Sequence, residues 1–434
     1  MNKRILVLLI VLLFFARIIF GLCSCFWTVD NVQIYLIGLK YYTTGLWPYF
    51  GPDVIYTNSQ IPGALQGLLV GLPLYLLHIP ESPFLLLNTL VFSSLGLFAW
   101  YVKKRIPTLP SWLVWIWLLT APWVMVFSTV IVNPSYVVPF SILFFVCIFE
   151  LLPLYSTFII NPFLAAACAG FCITSIMQIH MSWILTIPYC CVALFYQIKK
   201  DRSLGLKLLP FFLGGLFVGA LTLLPTIITY GMHSSGGTEK NIVFAVSNTK
   251  NIVTIFARFL SFATFEVPYM LGGDTPSRLA VIKENIWMAP IALILLLVGW
   301  AQVAYFVLCF FRKSELPEWK PLKLLVIASI LLVYVCFLFS IKGPSSHTFY
   351  IMLPLAMFYS FYCYQRLLSG NALLWKKVFG VCLVLGVLFH IGLAKYYYPK
   401  VSLYTDRAKV ERAINEKNYK ILGNRRADDL GYGY

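Results

Sequence analysis

The sequence predicts an all-α protein that crosses a membrane about eleven times, within a range of 10–13 crossings. Of its 434 residues, 60% are hydrophobic and only 11% are charged, and the mean hydropathy is +0.83. A soluble domain is typically about 45–50% apolar and about 25% charged. Apolar runs of about 17–25 residues, long enough to cross a bilayer, recur along nearly the whole chain. A membrane barrel would instead show short alternating strands, so we predict a polytopic helical protein.

The net charge of +17 does not indicate a nucleic-acid partner here. Most Lys and Arg residues fall in short segments between apolar runs, where they set the orientation of the helices. Membrane lipids and a phosphorylated lipid substrate are the anionic partners that we expect. The eleven Cys residues lie mostly within apolar runs without metal-ligand spacing, and we interpret them as small buried hydrophobes.

The N-terminus could pass for a signal peptide, because Met1–Arg4 is followed by the apolar run Ile5–Phe20. That run is longer than a usual signal core, contains Arg17, and lacks a clear small-x-small cleavage site. We therefore predict a retained anchor helix, Ile5–Cys25, that begins in the cytoplasm. Arg17 is expected to snorkel or pair inside the bundle, with a phosphate contact near the outer leaflet as the alternative.

Charge decides how the next two apolar segments are counted. If Gly63–Ile79 and Ser82–Val102 both crossed, the basic clusters 103–105 and 199–202 would lie outside, against the positive-inside tendency. Gly63–Ile79 is short, and Pro62, Pro73 and Pro80 interrupt or flank it. We predict that it lies shallow or re-entrant on the outer side.

The remaining crossings follow the apolar runs. They are predicted at Ser111–Thr129, Tyr136–Leu154, Asn161–Ile179, Met181–Tyr196, Leu208–Tyr230, Ile286–Phe311, Leu324–Ile341, Phe349–Leu368 and Val378–Lys395. This arrangement gives a membrane domain 1–395 with large outer loops 26–62 and 231–285. A short charged tail, 396–434, is predicted outside, with one amphipathic helix around Asp406–Lys417. Glu150, near the inner end of its helix, is interpreted as structural.

The first outer loop, Trp27–Pro62, is the one long polar and aromatic interruption among the early apolar segments. Asp30 and Asp53 lie in it. An acid placed where a helix leaves the bilayer is costly and is retained mainly for function. Asp30 also opens an expected interfacial helix, Asn31–Thr44, where an acid at the N-cap or first turn is favoured for structural reasons alone.

Polar and charged residues gather on the predicted outer face. They are Asp30, Asp53, Asn133, Gln178, His180, Arg258, Glu266, Asp274, Arg278, Lys283, Lys342 and His347. Such a set suits transfer from a lipid-phosphate sugar. A general base would deprotonate the acceptor, and cations or a divalent metal ion would hold the phosphate leaving group as charge develops on it.

The order of motifs in the first loop makes a resemblance specific. The first helix, Asp30, Tyr35, Gly45-x-Trp47-Pro48 and then Pro62-Gly63 opening an apolar run resemble the first outer loop of C-type glycosyltransferases. The protein O-mannosyltransferase and aminoarabinose-transferase branch is the most similar. The resemblance covers residues 1–105 and beyond them mainly the topology.

This resemblance implies a polytopic enzyme of cell-envelope glycan biosynthesis in the bacterial inner (plasma) membrane. It would use a polyprenyl-phosphate sugar donor at the outer face, with a lipid, glycan or protein acceptor. Asp30 matches the catalytic acid of the family. Asn31 stands where the family often has Glu, and Tyr35 lies one residue later than usual. These departures put a paired-carboxylate or metal-binding role in doubt but not a single base.

Further residues are candidates for substrate contacts. Tyr35 and Asp53 belong to the first loop, and Gln178–His180 resembles a Gln/His motif at a helix end in this superfamily. Arg258 and Glu266 are candidates for a loop that covers the donor phosphate, or for a structural ion pair. Lys342 in KGPSSHTFY is a candidate phosphate ligand near His347, and an ordinary polar turn explains the same residues.

Two other functions remain open at this point. A transporter or flippase of lipid-linked sugars would need polar residues facing a midplane cavity, and few acids occur within the apolar runs. A polysaccharide polymerase or ligase would depend on Arg and His in 231–285 and leave Asp30 dispensable. No Gly-rich phosphate loop or zinc-type cluster appears, which argues against a soluble nucleotide-sugar donor.

Overall fold

The computed structural model describes residues 2–54, 59–231, 244–313, 316–340 and 349–423. Helices dominate these ranges. The first part contains α1 (Lys3–Ser24), α2 (Val29–Thr44), α3 (Leu65–Leu76), α4 (Ser82–Arg105), α5 (Ser111–Thr120), α6 (Pro122–Phe127), α7 (Asn133–Leu151), α8 (Pro162–Met177), α9 (Ile187–Lys200), α10 (Arg202–Ala220) and α11 (Leu224–Tyr230). A short 3₁₀ helix, Met181–Thr186, leads directly into α9.

The second part contains α12 (Asn251–Ser261), α13 (Val267–Leu271), α14 (Thr275–Glu284), α15 (Met288–Phe311), α16 (Trp319–Leu338), α17 (Leu353–Gly370), α18 (Ala372–Val401) and α19 (Arg407–Asn415). Short 3₁₀ helices at Val246–Lys250, Leu403–Thr405 and Tyr419–Ile421 complete it. The strands β1 (Phe50–Val54) and β2 (Ser59–Pro62) pair antiparallel, with Phe50 opposite Pro62 and Asp53 opposite Gln60.

The prediction of a polytopic helical membrane protein is confirmed. Within the described ranges, eight helices are long and apolar enough to cross a bilayer: α1, α4, α7, Met181–Lys200, α10, α15, α16 and the long helix that begins at Ala372. Each of the other predicted crossings also contains a helix, namely α5 with α6, α8, and α17. The chain is therefore an integral membrane protein.

One predicted crossing, Ser111–Thr129, is broken into α5 and α6. Ala121 lies between them in a non-helical conformation, with ψ at 133°. Pro122 causes the break, because proline disfavours the helical conformation in the residue before it and has no N–H to donate. The prediction of a single continuous helix over Ser111–Thr129 was therefore wrong.

The interior of the bundle is built around α7 and α17. The most apolar window of α7 is 83% buried, and α17 is buried from Leu353 to Tyr364. Only 22% of the corresponding window of α10 is buried, so that helix leaves most of its apolar surface to lipid. Small residues let helices approach closely where they do pack: a Cβ on Gly215 of α10 would collide with the backbone of Ala167 in α8.

The helix ends form two faces, and contacts between distant segments identify them. On the first-loop face, Ala64 N–H donates to the Thr222 carbonyl (3.2 Å) and Trp27 N–H to the Val401 carbonyl (2.6 Å). On the opposite face, which we call the basic face, Arg105 pairs with Glu150. The basic face carries the cationic segments Lys103–Arg105, Lys199–Arg202, Arg312–Lys313, Lys320–Lys323, Arg366 and Lys376–Lys377. By the positive-inside tendency, the basic face is expected on the cytoplasmic side.

The predicted tail boundary at residue 396 falls inside α18, which continues to Val401. The amphipathic helix expected around Asp406–Lys417 is present as α19, with Val410, Ala413 and Ile414 buried on one side. Their i, i+3, i+4 spacing is that of a helix with one apolar face. The described part of the tail, up to residue 423, is packed against the membrane domain.

Candidate functional site

Asp30 lies in the first turn of α2, on the first-loop face. Thr28 occupies the N-cap position, and its side chain makes no capping hydrogen bond. Asp30 is exposed, whereas every residue from Asn31 to Leu39 is buried. The helix dipole favours an acid in this first turn. The helix that was predicted as interfacial is thus embedded in protein and presents Asp30 at its exposed end.

Tyr35 is fully buried, and its hydroxyl donates to the Pro80 carbonyl over 3.0 Å. The ring also meets Trp27 edge-on, with the centroids 5.2 Å apart. These contacts tie the middle of α2 to the turn that precedes α4. They give Tyr35 a role in holding α2, and they leave its hydroxyl engaged with the backbone.

The β1–β2 hairpin carries Asp53, whose Oδ1 accepts a hydrogen bond from Gln60 Nε2 over 3.0 Å. The hairpin ends at Gly63, which has φ = +112°, a conformation that other residues rarely adopt. A Cβ at Gly63 would also lie 2.5 Å from Gln178 Oε1. The glycine of the Pro62-Gly63 motif is therefore required both by its backbone and by its close approach to Gln178.

Gln178 is fully buried at the end of α8, and both ends of its amide are bonded. Its Nε2 donates to the carbonyls of Gly219 (2.8 Å) and Thr174 (3.2 Å), and its Oε1 accepts from the Thr222 hydroxyl (2.8 Å). Gln178 therefore joins α8 to the end of α10 beneath the hairpin. These bonds are structural.

His180 caps the 3₁₀ helix that leads into α9. Its Nδ1 lies 3.1 Å from Ser182 N–H and 2.8 Å from the Ser182 hydroxyl. The side chain is half-buried. The Gln/His motif thus lies on the first-loop face, with the glutamine inside the protein and the histidine nearer its surface.

Arg258 and Glu266 form an ion pair of 2.8 Å between Nη2 and Oε1. Their side chains are 17% and 20% exposed, so the pair is only partly removed from water. The guanidinium carbon lies 4.6 Å from the ring centroid of Tyr269 and 5.5 Å from that of Trp123. Trp123 in turn stacks on Phe262 with centroids 4.2 Å apart. A cation, a carboxylate and a platform of aromatic rings thus meet at one place.

Burial raises the pKa of the Glu266 carboxyl above its ordinary range, and the nearby Arg258 guanidinium acts in the opposite direction. Ser261 donates a hydrogen bond of 3.4 Å to Glu266 Oε2 and also favours the charged form. The net effect is a carboxyl that binds its proton more tightly than an exposed glutamate would.

Arg17 is fully buried within α1, beside the break between α5 and α6. Its Nη1 donates to the Leu119 carbonyl (2.9 Å) and its Nη2 to the Ser128 hydroxyl (2.8 Å). Carbonyls in the last turn of a helix have no partner in a continuing helix. Arg17 supplies one here, in accord with pairing inside the bundle.

Four further predicted residues divide into two groups. Lys342 and His347 lie outside the described residues. Asp274 caps α14 by accepting a hydrogen bond from Ser277 N–H over 2.8 Å, and Arg278 donates to the Gly272 carbonyl over 2.9 Å. Within the described ranges, no group of three or more His, Cys, Asp or Glu side chains is placed to hold a metal ion.

A cavity of about 620 Å³ opens on the basic face, away from all of these residues. It is lined by Lys313, Leu316, Trp319, Tyr362, Gln365, Arg366 and Ser369. Arg366 donates to the Lys313 carbonyl over 3.0 Å, and the Tyr362 hydroxyl donates to Glu318 over 3.1 Å. The cavity is thus separated from Asp30 by the thickness of the bundle.

Sequence reasoning missed three side chains that shape the first-loop face. Trp123 carries the aromatic platform under Arg258, and Glu81 and Arg407 pair across 326 positions of the chain. Trp123 stood inside a predicted membrane run, and Glu81 between two apolar segments. Nothing local in the sequence distinguishes them, because their importance depends on partners far away in the chain.

Comparisons with known proteins gave one match. No protein-family model matches the sequence, and no curated protein matches it. The crystal structure of ArnT from Cupriavidus metallidurans bound to undecaprenyl phosphate matches over 91% of this chain and 78% of that chain, with 10% identity and a TM-score of 0.42. At this identity and TM-score we base the proposals below on the residues of the chain itself.

Proposed function

We propose that this protein transfers a sugar from a polyprenyl-phosphate donor to a lipid, glycan or protein acceptor at the outer face of a bacterial inner membrane. The observation that carries the proposal is the placement of Asp30. It is an exposed carboxylate in the first turn of a helix that is otherwise embedded, directly after the first membrane span. A base held on such a rigid element is well placed to meet an acceptor at the membrane surface.

In this reaction Asp30 takes the proton of the acceptor hydroxyl as its oxygen attacks the anomeric carbon of the sugar. The bond between that carbon and the phosphate oxygen breaks, and polyprenyl phosphate leaves with the bonding electrons. The new bond forms on the opposite side of the sugar, so the transfer inverts the anomeric centre. One base and one source of positive charge near the phosphate are sufficient for this chemistry.

Arg258 is the described cation that we assign to the phosphate. Its guanidinium can form paired hydrogen bonds with phosphate oxygens, and it is held over Tyr269 and Trp123. Glu266 would then orient Arg258 through their ion pair. Asp53 and His180 remain proposed contacts to the substrates, as do Lys342 and His347. Gln178 and Tyr35 support the site through their buried hydrogen bonds.

The test uses sugar transfer by membranes that carry matched amounts of wild type, Asp30→Asn or Glu416→Gln. The donors are undecaprenyl phosphate carrying labelled mannose or aminoarabinose. Removal of a general base typically costs about 10²–10⁴-fold in rate, so Asp30→Asn should lose that much transfer and still bind donor. Glu416→Gln removes an exposed acid on the same face and should transfer like wild type.

Two outcomes would contradict the proposal. Equal transfer by wild type and Asp30→Asn would show that Asp30 is only a helix-end acid, and would move the chemistry to the segment 231–285. Transport of the lipid-linked sugar across the bilayer, without transfer of any donor, would support a flippase instead.

A further inference from the structure

The C-terminal residues 402–423, which we call the strap, run along α2 from one end to the other. At the N-terminal end of α2, Leu403 N–H lies 3.1 Å from Cys25 Sγ. Just before the strap, the Val401 carbonyl accepts a hydrogen bond from Trp27 N–H. Ser402 and Leu403 are fully buried. The strap is thus anchored where the chain leaves the first membrane span, a few residues before Asp30.

The middle of the strap is joined to α2 through a turn. Arg407 donates to Glu81 from Nε (2.6 Å to Oε1) and from Nη2 (3.4 Å to Oε2), and its Nη1 donates to Glu411 over 2.9 Å. Pro80, the residue before Glu81, accepts the hydrogen bond from the Tyr35 hydroxyl. Tyr35 follows Asp30 by five residues in the same helix. Arg407, Glu81, Pro80 and Tyr35 therefore form a continuous path from the strap to the helix that carries Asp30.

The far end of the strap reaches the last turns of α2. Lys40 lies 5.6 Å from the ring centroid of Tyr419, and Lys417 lies 5.5 Å from that of Tyr42. Two cation–π contacts thus join the strap to α2, and each segment supplies one lysine and one tyrosine.

The backbone at Lys417 supports a role for this side chain. Lys417 has φ = +47°, the one positive φ outside glycine among the described residues. Asn418 N–H bonds back to the Ala413 carbonyl over 2.9 Å, which is the closure that ends many helices with glycine at this position. Lysine is strained there. Its side chain contacts Tyr42, which gives a reason for lysine at a position that favours glycine.

We propose that the strap holds α2 in place and so positions Asp30, with Arg407 as the positioning residue. Arg407 acts through Glu81 and the Pro80–Tyr35 hydrogen bond and does not touch the substrates. The effect on Asp30 rests on the proposed function, whereas the hold on α2 does not. The strap therefore contributes to the structure of the first-loop face.

The test compares Arg407→Glu, Glu81→Arg and the double exchange of both charges, in the full-length protein in nanodiscs. Hydrogen exchange of the α2 amides reports whether the helix is held. Each single variant should speed exchange in residues 29–44 by tenfold or more, because like charges then face each other. Arg407 also pairs with Glu411, so all variants are compared in a Glu411→Gln background, where the double exchange should restore most of the protection. Arg412→Glu is the matched control, because Arg412 pairs with Glu416 on the exposed side of α19, with 67% of its side chain in water.

Turnover gives the second measurement. Arg407→Glu should lower kcat for transfer with little change in KM for the undecaprenyl-phosphate donor, and the double exchange should recover kcat. Exchange in α7 and α17 should stay at the wild-type level. If Arg407→Glu speeds exchange there too, the fold as a whole is disturbed, and Arg407→Gln, which removes the charge without adding repulsion, decides the matter.

Unchanged exchange in α2 for both single variants would overturn the strap, as would failure of the double exchange to restore protection. A different result separates the two proposals. If exchange behaves as expected but no variant, wild type included, transfers a sugar, then the strap stands and the proposed function falls.

Discussion

At the residue scale, the clearest case is Glu150, the buried acid on the basic face. Its Oε1 accepts from the Tyr101 hydroxyl over 2.7 Å and pairs with Arg105, and its Oε2 accepts from Ile159 N–H over 2.6 Å. The Glu150 side chain is fully buried and that of Arg105 is 6% exposed. The acid thus joins the ends of α4 and α7 to the following loop, in accord with the structural role expected from its position.

Replacing Glu150 by Ala should therefore lower the free energy of unfolding by about 3–5 kcal/mol, because it leaves the Arg105 charge buried without its partner. The measurement is reversible denaturation in mixed micelles. Arg412→Ala, which breaks an exposed pair, should change the same quantity by no more than about 1 kcal/mol. Equal effects of the two variants would contradict this role for Glu150.

Glu266 is also expected to make the stability of the protein depend on pH. Burial raises its pKa above the ordinary value near 4.5, so the folded chain binds the proton more tightly than the unfolded chain. Between the unfolded pKa and the folded pKa, the folded state holds a proton that the unfolded state has already lost. The free energy of unfolding therefore falls as pH rises through this range. The contribution of Glu266 to stability is thus complete at acid pH and is lost as pH rises past the folded pKa.

The variant Glu266→Gln cannot titrate at this position. We expect the melting temperature of wild type, measured relative to this variant, to fall as pH rises from about 4 to about 7. Glu416→Gln, at an exposed site, serves as the control and should follow wild type across the range. Parallel curves for wild type and Glu266→Gln would show that Glu266 titrates alike in both states.

At the element scale, α3 decides the topology of the first third of the chain. Its twelve residues rise about 18 Å, against about 30 Å of hydrocarbon in a bilayer. The side chain of Leu76, the last residue of α3, is 83% exposed. It also contacts α2 closely, since a Cβ on Gly38 would lie 2.6 Å from Gly71 N. A helix of this length and position favours the shallow or re-entrant placement predicted for Gly63–Ile79.

A cysteine at His78, just beyond α3, should therefore react with a membrane-impermeant maleimide added to the outside of intact cells. The background would carry Cys191→Ser, which removes the exposed cysteine. Lys104→Cys, at the other end of α4, is the matched control and should react only after the membrane is opened. Reaction of the His78 variant from the cytoplasmic side alone would mean that α3 crosses.

At the scale of the whole molecule, contacts between segments that are distant in the chain join both faces. On the basic face, Gln365 Nε2 donates to the Thr108 hydroxyl over 2.9 Å. On the first-loop face, Glu81 pairs with Arg407. Because the strap closes over the segment that follows the first span, the C-terminal residues take part in the same face as Asp30.

The sequence by itself determined the class of the protein, a polytopic helical membrane protein. Composition and runs of apolar residues report burial in lipid directly. The amphipathic helix expected around Asp406–Lys417 is also present. Periodicity could not show the break at Pro122, since apolar residues continue on both sides of it. The hairpin escaped notice because its two strands are only five and four residues long.

Only the tertiary structure decided which side chains meet. The structure shows that the Gln178 amide bonds to Gly219 and Thr222, and that the Tyr35 hydroxyl donates to the Pro80 carbonyl. Hydrophobic patterning carries information about each segment separately, whereas a hydrogen bond or ion pair depends on how two distant segments pack. The pairing of Glu81 with Arg407 is of this second kind, and no property of either residue in the sequence indicates the other.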